Sequence, residues 1–151
     1  MLLGYNTNGL QNHRLDDALR LLAEAGYQVV ALTPDTCHLD PFRTTAAEVA
    51  ATGTLLARLG LQVAIETGAR FLLDPRHKHE PTLMTRDPEG RARRLDLYRR
   101  VAAIGRDLGA QVVSCSTVHR VKGLEADNVF LLEGTFRKGR LEEENLEVVA
   151  I

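Results

Sequence analysis

The residues best suited to chemistry follow short apolar runs. Glu66 closes the run from Leu61 to Ile65, Asp35, Thr36 and His38 follow the run from Val29 to Leu32, and Asn6, Thr7 and Asn8 follow Leu2 to Tyr5. Farther along, His77 and His79 lie in the stretch HKHEP, His77 to Pro81. Imidazole and carboxylate together suit zinc, manganese or iron, so His38, His77, His79, Glu66 and Asp35 are the candidate metal ligands. His77 and His79 are two apart, which puts them on one face of a strand but not of a helix. A carboxylate at the end of an apolar strand costs free energy unless it is paired or working. Glu66 is therefore either a site residue or the partner of a nearby cation such as Arg70.

The elements that must position these groups form a repeat. EAGYQVVA (Glu24 to Ala31), RLGLQVAI (Arg58 to Ile65) and DLGAQVVS (Asp107 to Ser114) each end a helical pattern, pass through a glycine and begin an apolar β-branched run. Gly26, Gly60 and Gly109 fall where a left-handed residue ends a helix. Gly26 and Gly60 are 34 residues apart, and Gly60 and Gly109 are 49 apart. Those intervals hold a helix and a return, as parallel strands require. Leu15, Ala18, Leu19 and Leu22 give the apolar stripe of a first helix. Thr45 with Glu48 forms a capping box for a second, which buries Val49, Leu56 and Leu59. Asp87 and Pro88 open a third, with Leu95, Tyr98, Val101, Ala102 and Leu108 as its apolar face. With an opening strand at Leu2 to Tyr5 the order is βαβαβαβ, an α/β fold with a parallel sheet.

In such folds ligands gather at the carboxyl ends of the strands, because the loops diverge there over a rigid sheet. All the groups named above lie at that edge by topology. The connection from Ile65 to Asp87 is long for its type, as binding loops often are.

Composition narrows the classes further. The 151 residues fit one domain able to bury a real core. Lys and Arg number 19 against 20 Asp and Glu, a net charge of −1, so there is no general electrostatic drive toward nucleic acid. Six arginines between Arg91 and Arg106 would serve a phosphate or form a solvated helix face. Cys37 and Cys115 have no disulfide or metal spacing and read as free thiols of a reducing, cytoplasmic compartment. No run approaches a membrane span, and none reads as a secretory signal.

The runs MLLGYNTNGL, VVALTPDTCHLDPF and AIETGARFLLDPRHKHEPTL make residues 1–115 resemble the N-terminal half of the sugar phosphate isomerase/epimerase family, the xylose isomerase-like TIM barrels related to endonuclease IV. The resemblance implies half of a TIM barrel, a sugar or sugar phosphate ligand and a divalent metal such as zinc or manganese. It also implies proton transfer next to a carbonyl carbon, with the metal polarising the carbonyl. By position it carries over Glu66 as the catalytic candidate and Asn6, His38 and His79 as substrate-binding candidates. Most of that family's metal-binding and proton-transferring groups come from later strands, so little or no independent catalysis is expected.

Residues 116–151 read differently. STVHRVKGLEADNVFLLEG, Ser116 to Gly134, resembles a C-terminal motif of UvrD/Rep-type DNA helicases, at Thr117, His119, Lys122, Gly123, Leu124 and Glu125. A hydroxyl and an imidazole ahead of a glycine turn can hold phosphates, and amides and a carboxylate near the turn can meet a nucleotide. That resemblance implies single-stranded DNA or ATP as alternative ligands. The chain nevertheless has no G-x-x-x-x-G-K-[ST] loop, so ATP hydrolysis is not expected. The tail is expected to add a strand at Asn128 to Leu132 and a helix, packed as part of the same domain. A third reading is a noncatalytic fusion module. Open sheet edges would favour a homo-oligomer.

Overall fold

The computed structural model describes residues 2–68, 70–114, 129–131 and 148–150. Four strands, β1 (Gly4–Asn6), β2 (Val29–Leu32), β3 (Gln62–Glu66) and β4 (Val112–Ser114), form a parallel sheet in the order β1-β2-β3-β4. Helices α1 (Leu15–Glu24), α2 (Ala46–Leu59) and α3 (Pro88–Asp107) make the three crossovers. Two further strands, β5 (Val129–Leu131) and β6 (Val148–Ala150), pair antiparallel. The expected tail strand is present as β5; the expected helix, and Cys115, lie outside the described residues. None of the helices described is long and apolar enough to cross a membrane.

Alternation along each strand sorts the side chains onto two faces. Val30, Leu32, Val63 and Ile65 point toward the helices and pack with Leu19 and Leu22 of α1, Leu56 of α2 and Leu97 and Val101 of α3. All three helices therefore cover one face of the sheet. Burying each of these side chains contributes about 1.5–3 kcal/mol. The opposite face carries small groups: Ala31 and Ala64 are buried there, with Val112 against them. Register sets Asn6 beside Ala31, Ala31 beside Ala64 and Ala64 beside Val112.

Helix ends follow their local chemistry. Thr45 and Glu48 make the reciprocal capping box at the start of α2. Asp87 caps α3 by accepting from the amides of Glu89 and Gly90, with Pro88 in the first turn. Gly26, Gly60 and Gly109 have φ of 87°, 67° and 72°, the left-handed conformation that glycine adopts without strain.

The buried face of α3 departs from the sequence reading. Arg94, Leu97, Val101 and Ile104 are buried, while Leu95 is 43% exposed and Ala102 is exposed. The expected Val101 is buried and Leu108 packs against the core, but toward the start of the helix the stripe through Arg94 and Leu97 runs one residue off the expected Leu95 and Tyr98. A long side chain that pairs its charged end can share an apolar stripe. The arginine stretch is accordingly not wholly a solvated face.

Candidate functional site at the carboxyl edge of the sheet

Glu66 ends β3 on the small-residue face, two residues beyond Ala64, and is 9% exposed. Counting by twos from Ala31 puts Thr33 on the same face, and Asn6 of β1 lies alongside. Thr33 Oγ1 is 2.5 Å from Glu66 Oε2 and 3.1 Å from Asn6 Oδ1. The hydroxyl has one proton and so serves one of these acceptors at a time. Asn8 Nδ2 donates to Glu66 Oε2 at 3.1 Å. Asn6 Oδ1 also accepts from the amide of Asn8 at 2.7 Å, which caps the 3-10 turn Thr7–Leu10 and fixes the Asn8 side chain beside the carboxylate. Thr7, fully buried, accepts from the amide of Thr33 at 3.0 Å and ties this turn to β2.

Both hydrogen bonds to Glu66 fall on Oε2. Among the described residues none falls on Oε1, and every fully buried side-chain oxygen and nitrogen described has a partner, so Oε1 is not fully buried. The expected alternative of a Glu66–Arg70 ion pair is not formed: among the described residues the carboxylate is held by neutral donors. Neutral donors orient it without neutralising it, which leaves an acceptor open at the strand end.

The other candidates make hydrogen bonds of their own. His38, 2% exposed, is turned away: its Nε2 donates to the carbonyl of His13 at 3.0 Å. A carbonyl only accepts, so that nitrogen carries the proton and its lone pair is lost to a metal. Asp35 and His38 exchange backbone hydrogen bonds, and the Asp35 carboxylate accepts from the amide of Thr36 at 2.7 Å. His79 is exposed, and its Nδ1 donates to the carbonyl of Gly68 at 3.0 Å. His77 bonds Asp74 at 2.9 Å. That bond, with the amide of Arg76, holds the Asp74 carboxyl below the ordinary carboxylate range. Among the described residues no group of three or more His, Cys, Asp or Glu side chains is placed to hold a metal ion. The proposed ligands His38, Glu66 and His79 thus do not converge, and these residues do not fit a zinc or manganese centre. Thr117, His119, Lys122, Gly123 and Glu125 lie outside the described residues.

A cavity of about 550 Å³ opens beside the β2–α2 connection, between Asp40, Phe42, Arg43, Glu48 and Leu72. Its polar groups are already engaged locally. Asp40 faces Arg43 at 3.8 Å, and Glu48 is held by the amide and hydroxyl of Thr45, which lowers its carboxyl below the ordinary range. The Glu66 cluster, with an open acceptor, is the better candidate site.

Sequence reasoning found Glu66, Asn6 and Asn8 at this edge and missed Thr33, Gly68 and Arg94. The alternation from Ala31 was a usable signal for Thr33. Gly68 and Arg94 gave none, because both owe their place to the path of the long loop.

No protein-family model matches the sequence, and no curated protein matches it. Among solved structures the chain is similar to the crystal structure of D-psicose 3-epimerase in the presence of D-fructose, with a TM-score of 0.59 and 13% identity. The match covers 75% of this chain and 36% of the epimerase chain, so this chain spans about a third of that protein's length. At such identity the likeness is one of fold: a parallel four-stranded sheet with alternating helices, consistent with half of a TIM barrel.

Proposed function

We infer that the chain is a sugar-binding half-barrel of the xylose isomerase-like type, with little or no turnover of its own. The observation that carries this is the Glu66 carboxylate: one oxygen is fixed by Asn8 and Thr33, and the other is open at the carboxyl edge of the sheet. A carboxylate flanked by an amide and a hydroxyl is a set of acceptors and donors suited to a polyol's hydroxyl groups. Charge-assisted hydrogen bonds to such an oxygen are about twice as strong as neutral ones. Little turnover is expected, because among the described residues Glu66 is the one carboxylate of the cluster, and general acid-base groups each contribute about 10²- to 10⁴-fold. A ketohexose is the natural probe, since the epimerase of similar fold was crystallised in the presence of D-fructose. In a titration followed by NMR, D-fructose shifts the amides of Asn8, Thr33 and Glu66 with millimolar affinity, and Glu66→Gln weakens it at least tenfold, with no epimerised product. Shifts scattered over the surface, or an affinity untouched by Glu66→Gln, sink the reading.

A further inference from the structure

The backbone passes directly over the Glu66 carboxylate. A Cβ built on Gly68 would lie 3.0 Å from Thr33 Cγ2, 3.4 Å from Glu66 Oε2 and 3.6 Å from Glu66 Oε1, so Gly68 is the roof of the cluster and borders its open oxygen. That roof is held by bonds that begin far away in sequence. The Gly68 carbonyl accepts from His79 Nδ1 at 3.0 Å. The His79 carbonyl accepts from Arg94 Nη2, and the Pro81 carbonyl accepts from Arg94 Nε at 2.8 Å. His79 sits at φ 66°, a left-handed conformation uncommon for a residue with a side chain. Holding it there needs surrounding bonds that over-determine it.

Arg94 is an unusual anchor. It is 4% exposed, rises from the buried stripe of α3, and lies over the Tyr98 ring at 5.6 Å. No carboxylate pairs with it among the described residues; its hydrogen-bonded partners are the two loop carbonyls. Taking a guanidinium out of water is costly, and an apolar residue of similar volume often suits such a place as well or better. Packing alone therefore does not account for an arginine here. The helix under it is fixed in turn: Arg91 Nη1 donates to the carbonyls of Thr85 and Arg86, and Asp87 caps the first turn.

We propose that Arg94 is a positioning residue for the Glu66 site, acting through the His79 carbonyl and the His79–Gly68 hydrogen bond to set the height of the Gly68 roof over the carboxylate. The consequence for binding rests on the sugar-site reading above; the mechanical link does not. Because the Gly68 carbonyl accepts, His79 carries its proton on Nδ1, and that tautomer is a signature of the linked state.

The test uses the full chain with Arg94→Met, which keeps the length of the stem but not the donors, and with His79→Ala, an exposed position whose loss leaves the core untouched. In the wild type, nitrogen-15 NMR reports the Nδ1–H tautomer at His79, and the Gly68 amide has an order parameter near the roughly 0.85 of rigid backbone. Arg94→Met abolishes that tautomer signature and moves Gly68 toward the about 0.6 of flexible backbone; His79→Ala moves Gly68 likewise, and His79→Gln, which restores a donor, brings it back. D-Fructose affinity falls at least fivefold in both loss variants. An unchanged His79 tautomer in Arg94→Met, or an unchanged Gly68 in His79→Ala, overturns the proposal. Should the wild type bind no D-fructose, the sugar reading fails while the tautomer and order-parameter results still decide the positioning role.

Discussion

The two connections at the carboxyl edge of the sheet hold their shape in opposite ways. The one after β2, Thr33 to Thr45, has its ends and turn closed by short-range bonds: Asp35 and His38 exchange backbone bonds, Asp40 accepts from Phe42, and Thr45 begins the capping box, while Thr33 and His38 reach out to Glu66 and to the His13 carbonyl. The one after β3, Thr67 to Asp87, has internal bonds too, such as those of Asp74 with Arg76 and His77, but it is also anchored along its length by arginines of the following helix. Arg91 and Arg94 of α3 reach back to the carbonyls of Thr85, Arg86, His79 and Pro81. A turn closed by short-range bonds is stable locally and spends those polar groups in doing so. A loop carried by a helix can lay its backbone over another element, as Gly68 lies over Glu66, and leave groups beneath it unspent.

Removing a helix anchor should have the largest effect on this contrast. Arg94→Ala strands the carbonyls of His79 and Pro81 and, at about 1.5–3 kcal/mol per hydrogen bond to a charged group, should cost about 3 kcal/mol or more in urea unfolding. A loss under about 1 kcal/mol would mean that the β3–α3 loop is self-supporting after all. Next comes Gly68→Ala, whose methyl would press on Thr33 Cγ2. Overpacking of this kind costs about 1–3 kcal/mol, and the variant should also lose D-fructose affinity, because the crowding falls beside the open carboxylate oxygen. Unchanged stability and binding would show that the roof stands higher than its geometry indicates.

In the β2–α2 loop the effects should be smaller. Thr45→Ala removes the cap of α2 and should cost about 1 kcal/mol, with no change at Gly68 or in sugar binding. A change in either would couple the two loops and break the comparison. The smallest effect is electrostatic. Glu48 has its carboxyl lowered by the hydrogen bonds from the Thr45 amide and hydroxyl. A carboxyl lowered in the folded state stabilises it above the unfolded value, near about 4.3, and the gain disappears as the pH falls through the folded value. The difference in melting temperature between wild type and Glu48→Ala should therefore be present at neutral pH and shrink below about pH 4. A difference that stays constant down to pH 2 would show that the capping carboxylate is not its source.

Local signals determined much of this protein on the sequence alone. The three glycine-to-strand repeats, the apolar stripe of α1, the Thr45–Glu48 box and the Asp87–Pro88 start of α3 are all codes read within one turn or one strand, and each appears in the structure. Glu66, Asn6 and Asn8 were legible at the carboxyl edge because strand direction follows from the βα repeat. What only the tertiary structure decided was the company these groups keep. That Glu66 meets Asn8 and Thr33 rather than Arg70 depends on strand register, which sets residues 58 and 33 positions away beside it. That His38 and His79 spend ring nitrogens elsewhere than on Glu66 depends on carbonyls of His13 and Gly68, acceptors every residue possesses and no side-chain pattern announces. Val101 and Leu108 of the expected α3 stripe do meet the core, but its start was misplaced by one residue for the same reason. Periodicity counts apolar side chains, and Arg94 is buried because two backbone carbonyls from a distant loop come down to meet it.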